Sequence, residues 1–180
     1  MNRCSWCNLK NQKYVDYHDN EWCVLNMDER YLYEMFILES FQAGLSWECV
    51  LNKREAFLKA YDNFDIDKVV KYDDVKTEEL RNNKDIIRNR LKIHASINNS
   101  KIYMNIVKEF GSFYNYLSHF SGGRIFYEIG KATSALSDKI SFDLRCRGMK
   151  FVGSTIIYSY LCAVGIIYAH ERTCFLYKKQ

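Results

Sequence analysis

The sequence predicts an all-α fold, and three observations carry that reading. Apolar residues recur at three- and four-residue spacing through most of the chain, alternating strand patterns are almost missing, and no Pro-, Gly- or Ser-rich linker divides the 180 residues. One compact helical domain, residues 1–180, is expected. A chain of this mass buries about 70% of its unfolded surface on folding, enough for a core without staples. Hydrophobic residues at 48% and aromatics at 16% exclude a disordered or low-complexity chain. Proline is absent, so helix starts must come from Asp, Asn and Ser.

In chain order, Asp28 can cap a helix with an inward stripe of Leu32, Met35, Phe36, Glu39 and Ala43, and Gly44 can end it. Ser46 can cap the next, a helix carrying Trp47, Val50, Leu51, Phe57, Leu58 and Tyr61 on one face. Short helices are expected from Asp65 to Tyr72 and from Val75 to Asn82. A long one follows from about Arg88 to Phe110, with Leu91, Ile97, Ile102, Ile106 and Phe110 facing inward, and another from Ser112 to Phe120. Ser121 to Arg124 is the clearest loop. Ser137 starts a further helix that Gly148 closes. The uncharged stretch Phe151 to Ala169 barely reaches the ~20 residues of a membrane span, and polar and glycine interruptions favour a core helix. No apolar run follows the N-terminal Arg3, so no secretory signal is expected and a cytoplasmic location is.

Glu39 is the most informative single residue. It lies three and four positions after Phe36 and Met35, on their apolar face. A carboxylate there costs several kcal/mol unless it is paired or hydrogen-bonded. It is either a helix-end acid reaching water or a core Arg, or a site carboxylate aimed into a pocket. Tyr17 and all three tryptophans (Trp6, Trp22 and Trp47) fall in the first 47 residues. Aromatic faces around one buried acceptor suit a flat, cationic, hydrogen-bond-donating ring.

Metal-ligand types stand at both ends. His170 and Cys174 are four apart, and Cys4, Cys7 and His18 lie near the start. Spacing allows two four-ligand sets, Cys4, His18, His170, Cys174 or Cys4, Cys7, His170, Cys174. Either would be a closed, structural zinc site (one Zn2+) joining the two termini.

Between Leu80 and Lys92 five basic residues (Arg81, Lys84, Arg88, Arg90 and Lys92) face one acid, Asp85. Free N–H groups at the start of the long helix, beside those cations, can hold a DNA phosphate without reading sequence. A net charge of +4 permits a polyanionic partner.

These features coincide with a family. The chain resembles the 3-methyladenine DNA glycosylase I family of the helix-hairpin-helix glycosylase superfamily along nearly its whole length. The resemblance runs through Arg3 to Trp6, Tyr17 to Trp22, Leu38-Glu39 with Gln42 to Trp47, Lys53 to Glu55, Ile86 to Arg90, Phe151 to Thr155, and ends at His170 and Cys174. It implies Cys4, His18, His170 and Cys174 as the zinc ligands and a helix-hairpin-helix element in the fold. It implies further that Glu39 hydrogen-bonds the amino edge of a flipped base, that Tyr17 and Trp47 stack on it, and that Trp6 and Trp22 line the pocket. The activity implied is hydrolysis of the N-glycosidic bond of 3-methyladenine in double-stranded DNA, without lyase chemistry. Alkylation at N3 leaves the adenine cationic and already a good leaving group.

Leu45, in the Gly44-Leu45-Ser46 turn, is the candidate wedge for the gap left by the base, and Arg88, Arg90 and Lys92 are the candidate DNA contacts. A monomer without membrane or protein partners is expected, nucleoid-associated if bacterial. Competing readings are a non-catalytic zinc-stabilised nucleic-acid-binding module, a broader-range alkylpurine glycosylase, and a lyase using a Lys. The sequence departs from the family pattern at Asp85 and Cys23, where Gly is usual, at the Pro missing after Cys23, and at Cys162, where Gln is common. Asp85 predicts a strained hairpin turn or weakened phosphate binding.

Overall fold

The computed structural model describes residues 1–179. Ten helices succeed one another: α1 (Gln12–Asn20), α2 (Glu29–Gln42), α3 (Trp47–Leu51), α4 (Arg54–Ala60), α5 (Ile66–Val69), α6 (Asp74–Asn82), α7 (Arg90–Phe110), α8 (Phe113–Ser121), α9 (Ala135–Cys146) and α10 (Ser154–Ala163). Two short strands, β1 (Phe126–Tyr127) and β2 (Ile167–Tyr168), pair in parallel. The fold class is therefore the expected one, with a minimal sheet added.

The two expected caps act where the sequence placed them, and a third precedes the helix expected from Ser112. Asp28 accepts from the Tyr31 N–H, Ser46 from Cys49 and Ser112 from Asn115. The helix expected from Ser137 begins two residues earlier, at Ala135. Ser134 is its cap, and Ser137 closes a reciprocal capping box with it.

The hub is α2, which is buried without interruption from Leu32 to Phe41. It packs against α10, α3, α7 and α8. Residues small enough to let helices approach bring hydroxyls with them: Ser100 and Ser96 on α7 meet the hydroxyls of Tyr33 and Tyr61 at 2.5 and 2.9 Å. Those pairs satisfy phenols that apolar packing alone would leave without partners.

Four expectations need correcting. The single helix from Trp47 to Tyr61 is two, α3 and α4, because the chain turns at Asn52–Lys53, where the Lys53 N–H bonds the Val50 carbonyl. The turn delivers Arg54 to Glu21 and Glu34. Leu91 faces solvent, since the first turn of α7 projects beyond the core, and Ile93 takes the inward position. The run from Phe151 to Ala169 is not one helix. Gly165, at φ +79°, turns the chain from α10 into β2 against the backbone of Val24 and Leu25. Among the described residues no helix is long and apolar enough to cross a membrane.

Lys92 is the fourth correction, and it concerns a DNA contact. Its side chain points inward, and Nζ donates to the carbonyls of Phe41 at 2.8 Å and Ala43 at 2.5 Å. Those are final carbonyls of α2, which have no intrahelical partner. A cation at a helix C-terminus also complements the dipole. Charge in a sequence says nothing of burial, and in the free protein the ammonium holds the end of α2.

Candidate active site

The last turns of α2 end on a cavity of about 370 Å³ walled by Glu39, Gln42, Trp47, Tyr17, Trp6 and Trp22. The elements that build it come from distant parts of the chain. Glu39 and Gln42 are three apart and share one face of α2. Trp47 opens α3 and Tyr17 comes from α1, and their rings touch at 5.2 Å, tilted by 48°. Trp6 meets Trp22 edge-on at 4.7 Å and closes another wall.

Two acids of α2 are buried, and they differ in one decisive way. Glu34 accepts from Arg54 at 2.7 Å. Glu39 is 3% exposed, and its Oε2 has no hydrogen-bond partner. Burial alone pushes its carboxyl well above the usual carboxylate range. The bland reading, an acid bending to water or meeting a core Arg, thus describes Glu34 and not Glu39. A second acid at the cavity, Glu171, is already engaged by the N–H and hydroxyl of Ser5, at 2.8 and 2.6 Å.

Behind Trp22 lies the metal-ligand cluster. One ligand atom from each of Cys4, His18, His170 and Cys174 falls within 4.8 Å of all the others, and all four residues are buried. Three sulfur–nitrogen separations, Cys4–His170, Cys174–His18 and Cys174–His170, are 3.5 Å. A four-coordinate ion with bonds of roughly 2.0 Å to nitrogen and 2.3 Å to sulfur has tetrahedral edges of about that length. The donor set and its spacing fit a metal ion. His18 presents Nε2 to the cluster while Nδ1 lies 2.7 Å from Asp19, the carboxylate that orients metal-binding imidazoles, and Arg3 clamps that carboxylate at 2.6 Å. Burial lowers the His170 imidazole to about 4, which keeps it neutral and able to ligate. Cys7 does not join; its thiol points to the Tyr14 carbonyl. Of the two sets that spacing allowed, only the one without Cys7 assembles.

The basic hairpin joins α6 to α7. Arg88 and Arg90 are exposed beside the α7 N-terminus, which Asn89 caps through the Lys92 N–H. Lys53 donates to the Asp85 carbonyl at 2.9 Å and ties the hairpin to the start of α4. Asp85 has no positive φ, so the strain expected of it is absent; its N–H bonds the Asn83 side chain. Cys23 does sit at φ +64°, a conformation that suits Gly. Leu45 is exposed in the turn between Gln42 and Trp47, with Gly44 at φ +76° making the turn possible.

Sequence reasoning missed the α10 wall. Thr155, Tyr158, Ser159 and Cys162 line the cavity at helical spacing. Their polar groups interrupt an apolar run, a signal that reads as helix softening until a cavity is seen beside it. Tyr14 and Gln42 were missed as well.

Comparison with known proteins gives one answer. The family model for methyladenine glycosylase matches residues 6–177. The chain is 40% identical to DNA-3-methyladenine glycosylase 1 of Escherichia coli (strain K12), covering 98% of this chain and 97% of that protein. A crystal structure of 3-methyladenine DNA glycosylase I superposes with a TM-score of 0.93 at 36% identity, over 98% of this chain and 100% of the other. A variant of 3-methyladenine DNA glycosylase I in complex with 3-methyladenine superposes at 0.91 and 29% identity, over 97% of each chain. The cavity, the ligand cluster and the hairpin are thus set in a scaffold shared along the whole sequence: the chain belongs to the methyladenine glycosylase family.

Proposed function

We propose that this chain is a monofunctional DNA glycosylase that extrudes 3-methyladenine from duplex DNA and hydrolyses its N-glycosidic bond, leaving an abasic site. The observation that carries the reading is the orphaned Glu39 carboxylate, buried among aromatic rings while its neighbour Glu34 is paired. An unpaired acceptor of that kind is stabilised only when a ligand brings donors and positive charge.

N3-alkylated adenine supplies both. Its ring stacks on the Tyr17–Trp47 surface, and its amino edge donates to Glu39. Attraction between the cationic base and the carboxylate is strong in a cavity from which water is excluded. Because the base leaves as a neutral purine, it needs little protonation help, and no acid is assigned to that step. Water attacks the sugar carbon as the bond to the base breaks. Lys131, the lysine that lines the cavity, pairs with Glu128 at 3.2 Å, an arrangement that favours hydrolysis over a lyase step.

Outside the cavity, Leu45 fills the gap in the duplex, and Arg88 and Arg90 with the α7 N-terminus hold phosphates. Extrusion costs a few kcal/mol, less at a damaged pair. Zinc is the metal that two thiolates and two imidazoles in tetrahedral array suit best. With four protein ligands it has no open position, so its contribution is to fold the termini together. One chain completes the cavity, which supports a monomer acting as a single domain on DNA.

The test is release of free 3-methyladenine from methylated duplex DNA. The unaltered chain should release it, and Glu39→Gln should be slower by about 10²-fold or more, the scale of losing one preorganised electrostatic contact. Binding to abasic DNA should change little. An unaltered chain that binds DNA but releases no base is a binding module, and the enzymatic reading is then wrong.

A further inference from the structure

Among the described residues, six buried side-chain N or O atoms lack a partner, and four of them belong to residues that line the base cavity: Glu39, Gln42, Trp47 and Tyr158. A fifth, Glu128 Oε2, belongs to the acid that faces Tyr158. Unsatisfied buried groups are rare, and when they gather round one cavity they outline the polar edges of what it binds.

Tyr158 is 5% exposed, and its hydroxyl reaches no protein partner within hydrogen-bond geometry. Burial, the neighbouring Cys162 and the Glu128 carboxylate all hold that hydroxyl in its neutral form. Glu128 is itself fixed. Its N–H continues the ladder of the two-residue sheet by donating to the Tyr168 carbonyl at 3.0 Å, and its Oε1 meets Lys131 at 3.2 Å. The free oxygen is therefore Oε2, which like the Tyr158 hydroxyl is buried without a partner. The β1–β2 pairing thereby has a role beyond architecture: it anchors an acid beside the α10 wall.

We infer that Tyr158 is a second hydrogen-bonding point for the extruded base, with Glu128 as the residue that positions it. On base binding the Tyr158 hydroxyl closes on Glu128 Oε2, a pairing absent from the free protein, and its oxygen accepts from the base. Two walls, α2 through Glu39 and α10 through Tyr158, then offer acceptors to one flat ligand. Such a cavity favours a purine that turns donors toward both walls, because an acceptor backed by a carboxylate bonds a donor more strongly. The inference rests on the glycosylase reading above.

The experiment titrates free 3-methyladenine and unmodified adenine into the full-length, metal-loaded protein, read by tryptophan fluorescence. It compares the unaltered chain with Tyr158→Phe, Glu128→Gln and the double variant, each with its thermal melt. Tyr158→Phe should weaken 3-methyladenine binding about 5- to 10-fold, the loss of one hydrogen bond. Glu128→Gln should weaken it about 2- to 5-fold, and the double variant should be no worse than Tyr158→Phe. That non-additivity separates positioning from a general loss of structure. Tyr158→Phe binding within twofold of the unaltered chain, or a double variant whose losses add, overturns the inference. Should Tyr158→Phe fail to fold, Glu128→Gln decides alone: unchanged 3-methyladenine affinity rejects it. If the unaltered chain binds no 3-methyladenine and releases none from DNA, the glycosylase reading itself has failed.

Discussion

Trp22 meets the His170 imidazole edge-on at 4.7 Å with the planes at 83°, so one indole belongs both to the wall of the base cavity and to the packing around the metal-ligand cluster. Trp6 extends the link, lying against Trp22 at 4.7 Å and His18 at 5.2 Å. The position of two cavity walls therefore depends on whether the imidazoles are held in place.

Loss of the metal should consequently reach the cavity as well as the stability. Cys174→Ser is expected to lower the bound metal to near zero and to destabilise the fold by at least several kcal/mol, given that structural zinc contributes on the order of 10 kcal/mol in small peptides. Where the apo protein still folds, 3-methyladenine binding should weaken about tenfold as Trp22 and Trp6 lose their support. Metal quantification, melting curves and a base titration on one preparation check all three. Metal-free protein with unchanged base affinity would separate the two sites.

Glu39 supplies a prediction of opposite sign for stability and activity. Its folded pKa is raised above the reference value of 4.5 by burial. An acid whose folded pKa is raised binds protons more readily folded than unfolded, so stability falls as pH rises above the unfolded value. Glu39→Gln removes that penalty. It should match the unaltered protein near pH 4 and become progressively more stable than it toward neutral pH, while losing base excision. Parallel melts between pH 4 and 8 test the sign. A variant less stable at neutral pH would mean that Glu39 has partners in the free protein.

Much of this was legible in the sequence, and the limits are instructive. Asp28 and Ser46 announced helix starts because capping is a local matter of one side chain and the next turn. Glu39 stood out because periodicity fixes the face of a helix. What meets that face is tertiary, so the spacing could not distinguish Glu39 from the Arg-paired Glu34. His18 and Cys7 were interchangeable by spacing, and only the packing of α1 turned Cys7 toward the Tyr14 carbonyl. Tyr158 was hidden for the opposite reason, since a phenol inside an apolar run looks like core until a cavity opens beside it.

Gly165 is a position where backbone and packing act together. It adopts φ +79°, and an added Cβ would collide with the backbone of Val24 and Leu25. Backbone cannot step aside as a side-chain tip can. Gly165→Ala should therefore cost about 3 kcal/mol or more, a left-handed penalty plus a clash. The nearby segment ends in Cys23, whose N–H bonds the Cys162 carbonyl, so damage should extend to the cavity floor. Chemical denaturation measures the loss, and a change below about 1 kcal/mol would mean that the segment after Trp22 yields easily.

Lys92 and Arg88 stand four residues apart and should behave as different kinds of cation. Lys92 is buried on the carbonyls that end α2, two residues before Leu45 in the case of Ala43. Burial lowers its pKa, so its charge is already disfavoured and is held by those two acceptors. Lys92→Met should cost about 1–3 kcal/mol of stability. It should also disturb the Gly44-Leu45 turn, yet leave the salt dependence of DNA binding unaltered, since it touches no phosphate. Arg88 is exposed beside the α7 N-terminus. Arg88→Ala should leave stability within about 0.5 kcal/mol and lower the log–log salt slope by about 0.9, one phosphate contact. Binding to abasic duplex between 50 and 200 mM salt, measured with both variants, distinguishes the two. A reduced slope for Lys92→Met would place that ammonium on DNA after all, which would require α2 to release it on binding.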